Sequence, residues 1–143
     1  MTLEELVDNF EFLDSWEERY SYIIDLGRKL PAFPEEHRTE ANKVRGCISQ
    51  VWLVAETPEE NPDVIRFLAD SDAAIVKGLI GIVLMLYSER TPQEIQAIQT
   101  GDLFTKLGLE SHLSVNRRNG FQAMLDKIKN IAVQREQNGA LDA

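Results

Sequence analysis

One residue in this 143-residue chain offers nucleophilic sulfur chemistry by its type alone: the single cysteine, Cys47. It stands in the run Arg45-Gly46-Cys47-Ile48-Ser49-Gln50. The reactive form of a cysteine is the thiolate, and nearby cations favour it over the thiol. Lys43 and Arg45 are the only charged side chains between Ala41 and Ala55. Gly46 admits backbone angles closed to other residues and lets a partner approach closely. These features make Cys47 a candidate reactive thiol. The plain alternative is a small buried hydrophobe, a common fate of a lone cysteine.

The only histidines are His37 and His112. Either one beside Cys47 would give the nucleophile–base pair of a cysteine hydrolase. His37 lies in a polar stretch and reads as solvated; His112 either sits near the thiol or caps a helix ending near Glu110. One cysteine and two distant histidines lack the ligand spacing of a zinc site. A cluster scaffold needs several thiolates, so no metal site is expected here. Arg117 and Arg118 fall just after Ser114, in a first helical turn, where cations oppose the helix dipole by about 0.3–1 kcal/mol. Either a thiolate, a persulfide or a partner's carboxylate draws positive charge there, or the arginines face solvent. Asp72 reads as an N-cap. Lys77, among Ile75, Val76, Leu79 and Ile80, either snorkels to the surface or brings its ammonium to a functional group. Trp52 and Phe67 read as core.

The elements that must position these residues follow from periodicity and caps. Thr2 with Glu5 reads as a capping box ahead of the stripe Leu3, Leu6, Val7 and Phe10. Ser15 with Glu18 opens a second helix, striped by Trp16, Tyr20, Ile23 and Ile24 and closing near Gly27 and Pro31. Residues 31–46 read as a polar loop. Ser49 to Glu56 and Asp63 to Ala69 suit strands, joined by a turn through Pro58, Asn61 and Pro62, and pair most simply as antiparallel neighbours. Ser71 and Asp72 precede an apolar helix from Ala73 to Tyr87, the expected central helix. Thr91-Pro92-Gln93-Glu94 starts a short helix. Another spans Asp102 to Leu107, closed by Gly108. Ser114 opens the last helix, striped by Phe121, Met124, Leu125, Ile128, Ile131 and Ala132. Its polar end, 137–143, is expected to fray. The fold class expected is α+β: one domain over residues 1–143, a small antiparallel sheet packed against several helices.

Composition bounds the function. A hydrophobic fraction of 43% and a charged fraction of 27% suit a soluble globular domain. The apolar stretch Leu79 to Tyr87 is too short to span a bilayer. The start Met1-Thr2-Leu3-Glu4-Glu5 has no basic or apolar leader pattern, and a lone thiol suits the reducing cytoplasm. The net charge of −9 argues against nucleic acid as a partner. That charge is concentrated in residues 1–40, so Cys47 sits in a locally basic stretch of an acidic chain.

Taken together, the motifs resemble the SufE family of sulfur-acceptor proteins. The resemblance rests on Gly46-Cys47-Ile48-Ser49-Gln50-Val51-Trp52, on Ser71-Asp72-Ala73-Ala74-Ile75-Val76-Lys77-Gly78, on His112-Leu113-Ser114, and on Arg117 and Gly120. Trp16-Glu17-Glu18-Arg19-Tyr20 and Leu26-Gly27-Arg28-Lys29-Leu30-Pro31 extend it over residues 5 to 135. The resemblance implies a fold similar to IscU-type scaffolds, with the cysteine on a loop tip beside the sheet. It implies a partner, a SufS-type cysteine desulfurase that uses pyridoxal phosphate, and delivery of sulfur to a SufB-type cluster scaffold. Cys47 would carry the persulfide and stimulate the desulfurase, with no cofactor of its own, in a monomer or weak dimer. Asp72 and Arg117 would act on loop exposure or docking. Lys43, Arg45 and Arg117 would supply positive potential, and Gly46, Ser49, Gln50, Lys77 and His112 would support the site. Val115 departs from the proline the family often has there. A related acceptor serving a paralogous desulfurase fits the same motifs.

Overall fold

A single buried helix organises the chain. The computed structural model describes residues 3–47, 49–98, 103–109 and 112–142. Helix α3 (Ala74–Tyr87) is buried on most sides, with Ile75, Leu79, Ile80, Ile82, Val83 and Tyr87 all enclosed. A helix apolar all round must be covered all round. Helix α3 packs against α2 (Trp16–Arg28), strand β2 (Arg66–Ser71) and the long α6 (Val115–Asp142); α1 (Leu3–Glu11), strand β1 (Val51–Glu56) and the short helices α4 (Pro92–Ala97) and α5 (Leu103–Lys106) complete the fold, β1 on β2 and α4 on α6. This is the α+β arrangement expected. The Thr2 capping residue and Asp102 lie outside the described residues.

The caps explain several boundaries. The Ser15 hydroxyl accepts the Glu18 N–H, and the Glu18 carboxylate accepts the Asp14 N–H. Thr91 and Glu94 form a complete capping box with Pro92 behind the cap. Gly108 takes φ +68° after α5, where a side chain would be strained.

α2 crosses α3 through glycine. A Cβ on Gly78 would stand 2.2 Å from the Ile23 carbonyl oxygen and 2.4 Å from its Cγ2. A Cβ on Gly27 would stand 2.7 Å from the Gly78 nitrogen. Without side chains at the crossing, the two backbones touch and Ile23 is fully enclosed.

β1 and β2 pair antiparallel, from Val51 opposite Ser71 to Glu56 opposite Arg66. Both strands begin later than the apolar pattern suggests. The chain is still turning at Val64, whose N–H reaches the Asn61 carbonyl, and Ile65 pairs with Arg90 beyond α3. The segment 31–42 is not a free loop. It holds short 3-10 turns at Glu35–His37 and Glu40–Asn42, then Lys43 bridges to Trp52 and the Val44 N–H donates to the Val51 carbonyl. Residues 43–44 therefore cover part of the free edge of β1, which removes exposed pairing groups.

One further expectation is corrected. Asp72 is not the cap of α3: Ala73 holds that position with no side-chain cap bond, and the Ser71 hydroxyl accepts the Ala73 N–H. β2 runs on to Ser71, which carries Asp72 across to Gln50 instead. α6 itself is long and continues to Asp142. Arg135 donates to the Thr57 hydroxyl at 2.8 Å, and Gln96 bonds Glu136, so α6 is tied to its neighbours up to that point. No helix among the described residues is long and apolar enough to cross a membrane.

Candidate functional site

Cys47 sits in the segment 45–50, which connects the Lys43–Val44 edge pairing to β1. Both ends of this loop are fixed. At one end the Val44 N–H donates to Val51. At the other, the Asp72 carboxylate accepts the Gln50 N–H at 3.1 Å while the Asp72 N–H donates to the Gln50 carbonyl. The carboxylate thus takes the place of a ladder carbonyl and extends the β1–β2 pairing by one step. Gly46 turns the loop at φ +93°, the left-handed region that favours glycine.

The loop folds back onto α6. The Cys47 thiol donates a weak bond to the Gly120 carbonyl at 3.5 Å. Gly120 is what permits this: a Cβ there would stand 3.2 Å from Sγ and 3.7 Å from the Cys47 Cα. Cys47 is half-buried at the edge of a cavity of about 400 Å³. The floor is apolar, made by Val51, Val76, Leu79, Phe121 and Met124. The polar rim is Ser49, Ser114, Asn116 and Arg117. The Ser114 hydroxyl accepts the Arg117 N–H at 3.2 Å and fixes the start of α6.

The electrostatics differ from expectation. Burial pushes the Cys47 thiol above its ordinary pKa. Lys43 and Arg45 do not line its cavity; they border a separate groove against α6 with Asp126 and Lys127. Lys43 is also paired with Glu40 at 2.8 Å. Of the three cations expected to serve the thiol, only Arg117 lines its cavity. The resting site therefore holds a protonated thiol over an apolar floor, sheltered from oxidants that act on exposed thiolates.

Other expected residues lie elsewhere. The His112 ring stacks on Trp16 at 4.3 Å between centroids and does not line the Cys47 cavity. No histidine lines it among the described residues, so the cysteine-hydrolase pairing is not assembled here. Lys77 pairs with Asp70 at 3.3 Å in another cleft. His37 lies edge-on to Phe33. Arg118 is half-buried, not simply surface. Phe67 is core as expected, and Trp52 is buried under Arg38. Among the described residues no three His, Cys, Asp or Glu side chains group as metal ligands. The reading of the sequence missed Asn116, Phe121 and Met124 as cavity residues; their period along α6 marks Phe121 and Met124 as core, not as lining.

The Gly120 contact makes a testable prediction. Gly120→Ala should leave the unfolding midpoint unchanged or raised, because alanine gains about 1 kcal/mol over glycine inside a helix. The same methyl pushes Sγ from its seat, since the sulfur can rotate away. Iodoacetamide should then label Cys47 several-fold faster at neutral pH. In the unsubstituted protein the labelling rate should keep climbing past pH 9.0, the ordinary thiol value.

A model of the family described as "SufE: Fe-S metabolism associated domain" matches residues 4–132. The chain belongs to the SufE family. Its curated SufE-like relatives agree along nearly their whole length. An uncharacterized SufE-like protein of Rhizobium meliloti (strain 1021) is 47% identical over 132 residues, covering 92% of this chain and 94% of that one. An uncharacterized SufE-like protein of Rhizobium etli is 48% identical over 130 residues, covering 90% and 87%. The fold also matches the solution structure of a hypothetical protein from Thermus thermophilus, with a TM-score of 0.73 at 19% identity over 92% of this chain and 93% of that one. Membership in SufE places this chain in Fe–S metabolism. Its fold gathers Cys47, Arg117 and Gly120 around one cavity, with Asp72 at the end of the cysteine loop.

Proposed function

We propose that this SufE-family chain accepts sulfur on Cys47 from the persulfide of a SufS-type cysteine desulfurase and passes it to a SufB-type cluster scaffold. The observation that carries the reading is the cavity beside Sγ, with a single thiol at its mouth and an apolar floor. A second sulfur atom bonded to Sγ has space there and is shielded from water.

The transfer is thiol exchange on sulfur. The Cys47 thiol loses its proton as the loop leaves the apolar floor for the partner's site. Its thiolate attacks the terminal sulfur of the donor persulfide. The donor's sulfur–sulfur bond breaks, a new one forms on Cys47, and the donor thiolate takes up the released proton. No net oxidation occurs. Arg117, on the rim, offers positive potential to the anionic sulfur as it enters. The chain generates no sulfur itself; the pyridoxal phosphate chemistry belongs to the desulfurase.

The test is intact-mass and peptide mass spectrometry after incubation with a SufS-type desulfurase and free cysteine. The expected result is a gain of one sulfur atom on the peptide bearing Cys47. Desulfurase turnover with no sulfur on Cys47 would overturn the reading.

A further inference from the structure

The Cys47 loop begins where the segment 31–44 reaches the sheet, and Arg38 ties that segment to β2. Arg38 pairs through Nη2 with Asp70 of β2 at 2.5 Å and through Nε with Glu35 at 2.7 Å. Its guanidinium lies 5.3 Å over the Phe33 ring and 5.1 Å over the Trp52 ring. Trp52 and Asp70 are direct cross-strand partners, so both project from the same sheet face. Arg38 therefore closes over a β1–β2 pair as well as over its own segment. Trp52 is also the residue to which Lys43 bridges, one step before Val44 donates to Val51.

Asp70 is buried, with Lys77 as its second cation. Burial works against its charge. Bonds from Arg38, the Ser71 N–H and Lys77 outweigh that and hold its carboxyl below the ordinary range. The pair is thus ionised: without Arg38, Asp70 keeps only Lys77 and the Ser71 N–H against its burial, and without Asp70, Arg38 keeps Glu35 but loses its tie to the sheet.

We infer that Arg38 and Asp70 form a positioning clamp that fixes the stem of the Cys47 loop, and so sets how far the thiol is withdrawn, without touching it. Neither residue lines the Cys47 cavity. The inference rests on Cys47 being the working thiol, but its test reads the thiol directly and needs no desulfurase. A clamped stem keeps Cys47 against Gly120, and an open clamp frees Lys43 and Val44 from β1 and lets the tip leave.

The experiment compares Arg38→Met and Asp70→Asn with Arg66→Met. Arg66 holds an ion-pair cluster with Glu56, Glu60 and Glu89 at the far end of the sheet and serves as the control for general loss of stability. Iodoacetamide labelling of Cys47 is followed across pH at a temperature where circular dichroism and tryptophan fluorescence show each variant folded. Both clamp variants should label about tenfold faster than the parent, with the pH profile moved toward that of a free thiol. Arg66→Met should label at the parent rate. Should Arg38→Met not fold, Asp70→Asn, which keeps the arginine over its two rings, decides alone. Labelling at the parent rate in the folded clamp variants, or equal acceleration in Arg66→Met, overturns the inference. If the clamp variants accelerate labelling but the parent takes no sulfur from a desulfurase, the clamp stands and the sulfur-acceptor reading falls.

Discussion

Cys47→Ser should abolish sulfur acceptance while leaving the fold in place. The serine hydroxyl is close in shape to the thiol and can donate to the same Gly120 carbonyl. Stability should therefore change by no more than about 1 kcal/mol, the usual worth of one such bond. The chemistry, however, is lost entirely. A hydroxyl needs an adjacent base to become a nucleophile, and no imidazole lines this cavity among the described residues. The mass of the variant should not change on incubation with desulfurase and cysteine. His112→Ala should take up sulfur as the parent does, because that ring stacks on Trp16 away from the thiol. Retained sulfur uptake in Cys47→Ser would move the acceptor to another group.

The largest structural effect is expected from a single methyl. Gly78→Ala places Cβ at 2.2 Å from a backbone oxygen of α2 and 2.4 Å from Ile23 Cγ2. A flexible side chain could move away from such a clash; the Ile23 carbonyl is held within its helix. Helices α2 and α3 must then part along their most extensive contact, and Ile23 loses its packing. Overpacking of this kind costs about 1–3 kcal/mol, occasionally more, and the backbone clash puts Gly78 at the upper end. With total stability of roughly 5–15 kcal/mol for a domain, that loss should lower the midpoint of thermal unfolding by about 10 °C. Gly81→Ala is the comparison. Its Cβ would meet Leu26 at 3.1–3.3 Å, a contact relieved by a slight shift. Thermal melts of both, followed by circular dichroism, check the order. Equal melting of Gly78→Ala and the parent would show that the crossing can yield.

Legibility from sequence tracks how local the cause is. Helix α3 could be read because its apolar run leaves no polar face, and the Thr91 cap because its partner stands three residues on. Cys47 could be read as the candidate nucleophile because it is the only thiol and follows a glycine. The direction of the neighbouring cations could not. Lys43 and Arg45 are close along the chain, yet Lys43 is tied to Glu40 and both border the groove on the far side. The thiol's raised pKa comes from burial, which local charge does not report. Arg38 left no signal, since its meaning depends on Asp70 and Trp52 across an aperiodic segment with two prolines. The glycines of the α2–α3 crossing did leave one. Gly27 and Gly78 interrupt helices where alanine would be favoured, and such an interruption marks close backbone approach.

The anchored loop limits how far the Cys47 thiol can travel. With the Arg38–Asp70 clamp closed, Val44 is paired to β1 and Cys47 stands three residues beyond it. A fully drawn chain spans at most about 3.6 Å per residue, so the thiol can extend only roughly 10 Å from that anchor. A group that reacts with the thiol must therefore come to the end of the sheet; this chain cannot probe a deep channel with its loop alone. If the proposed sulfur acceptance holds, the donor must present its persulfide within that radius, either at a shallow mouth or by seating the rim of α6 and the end of β1 inside its own cleft.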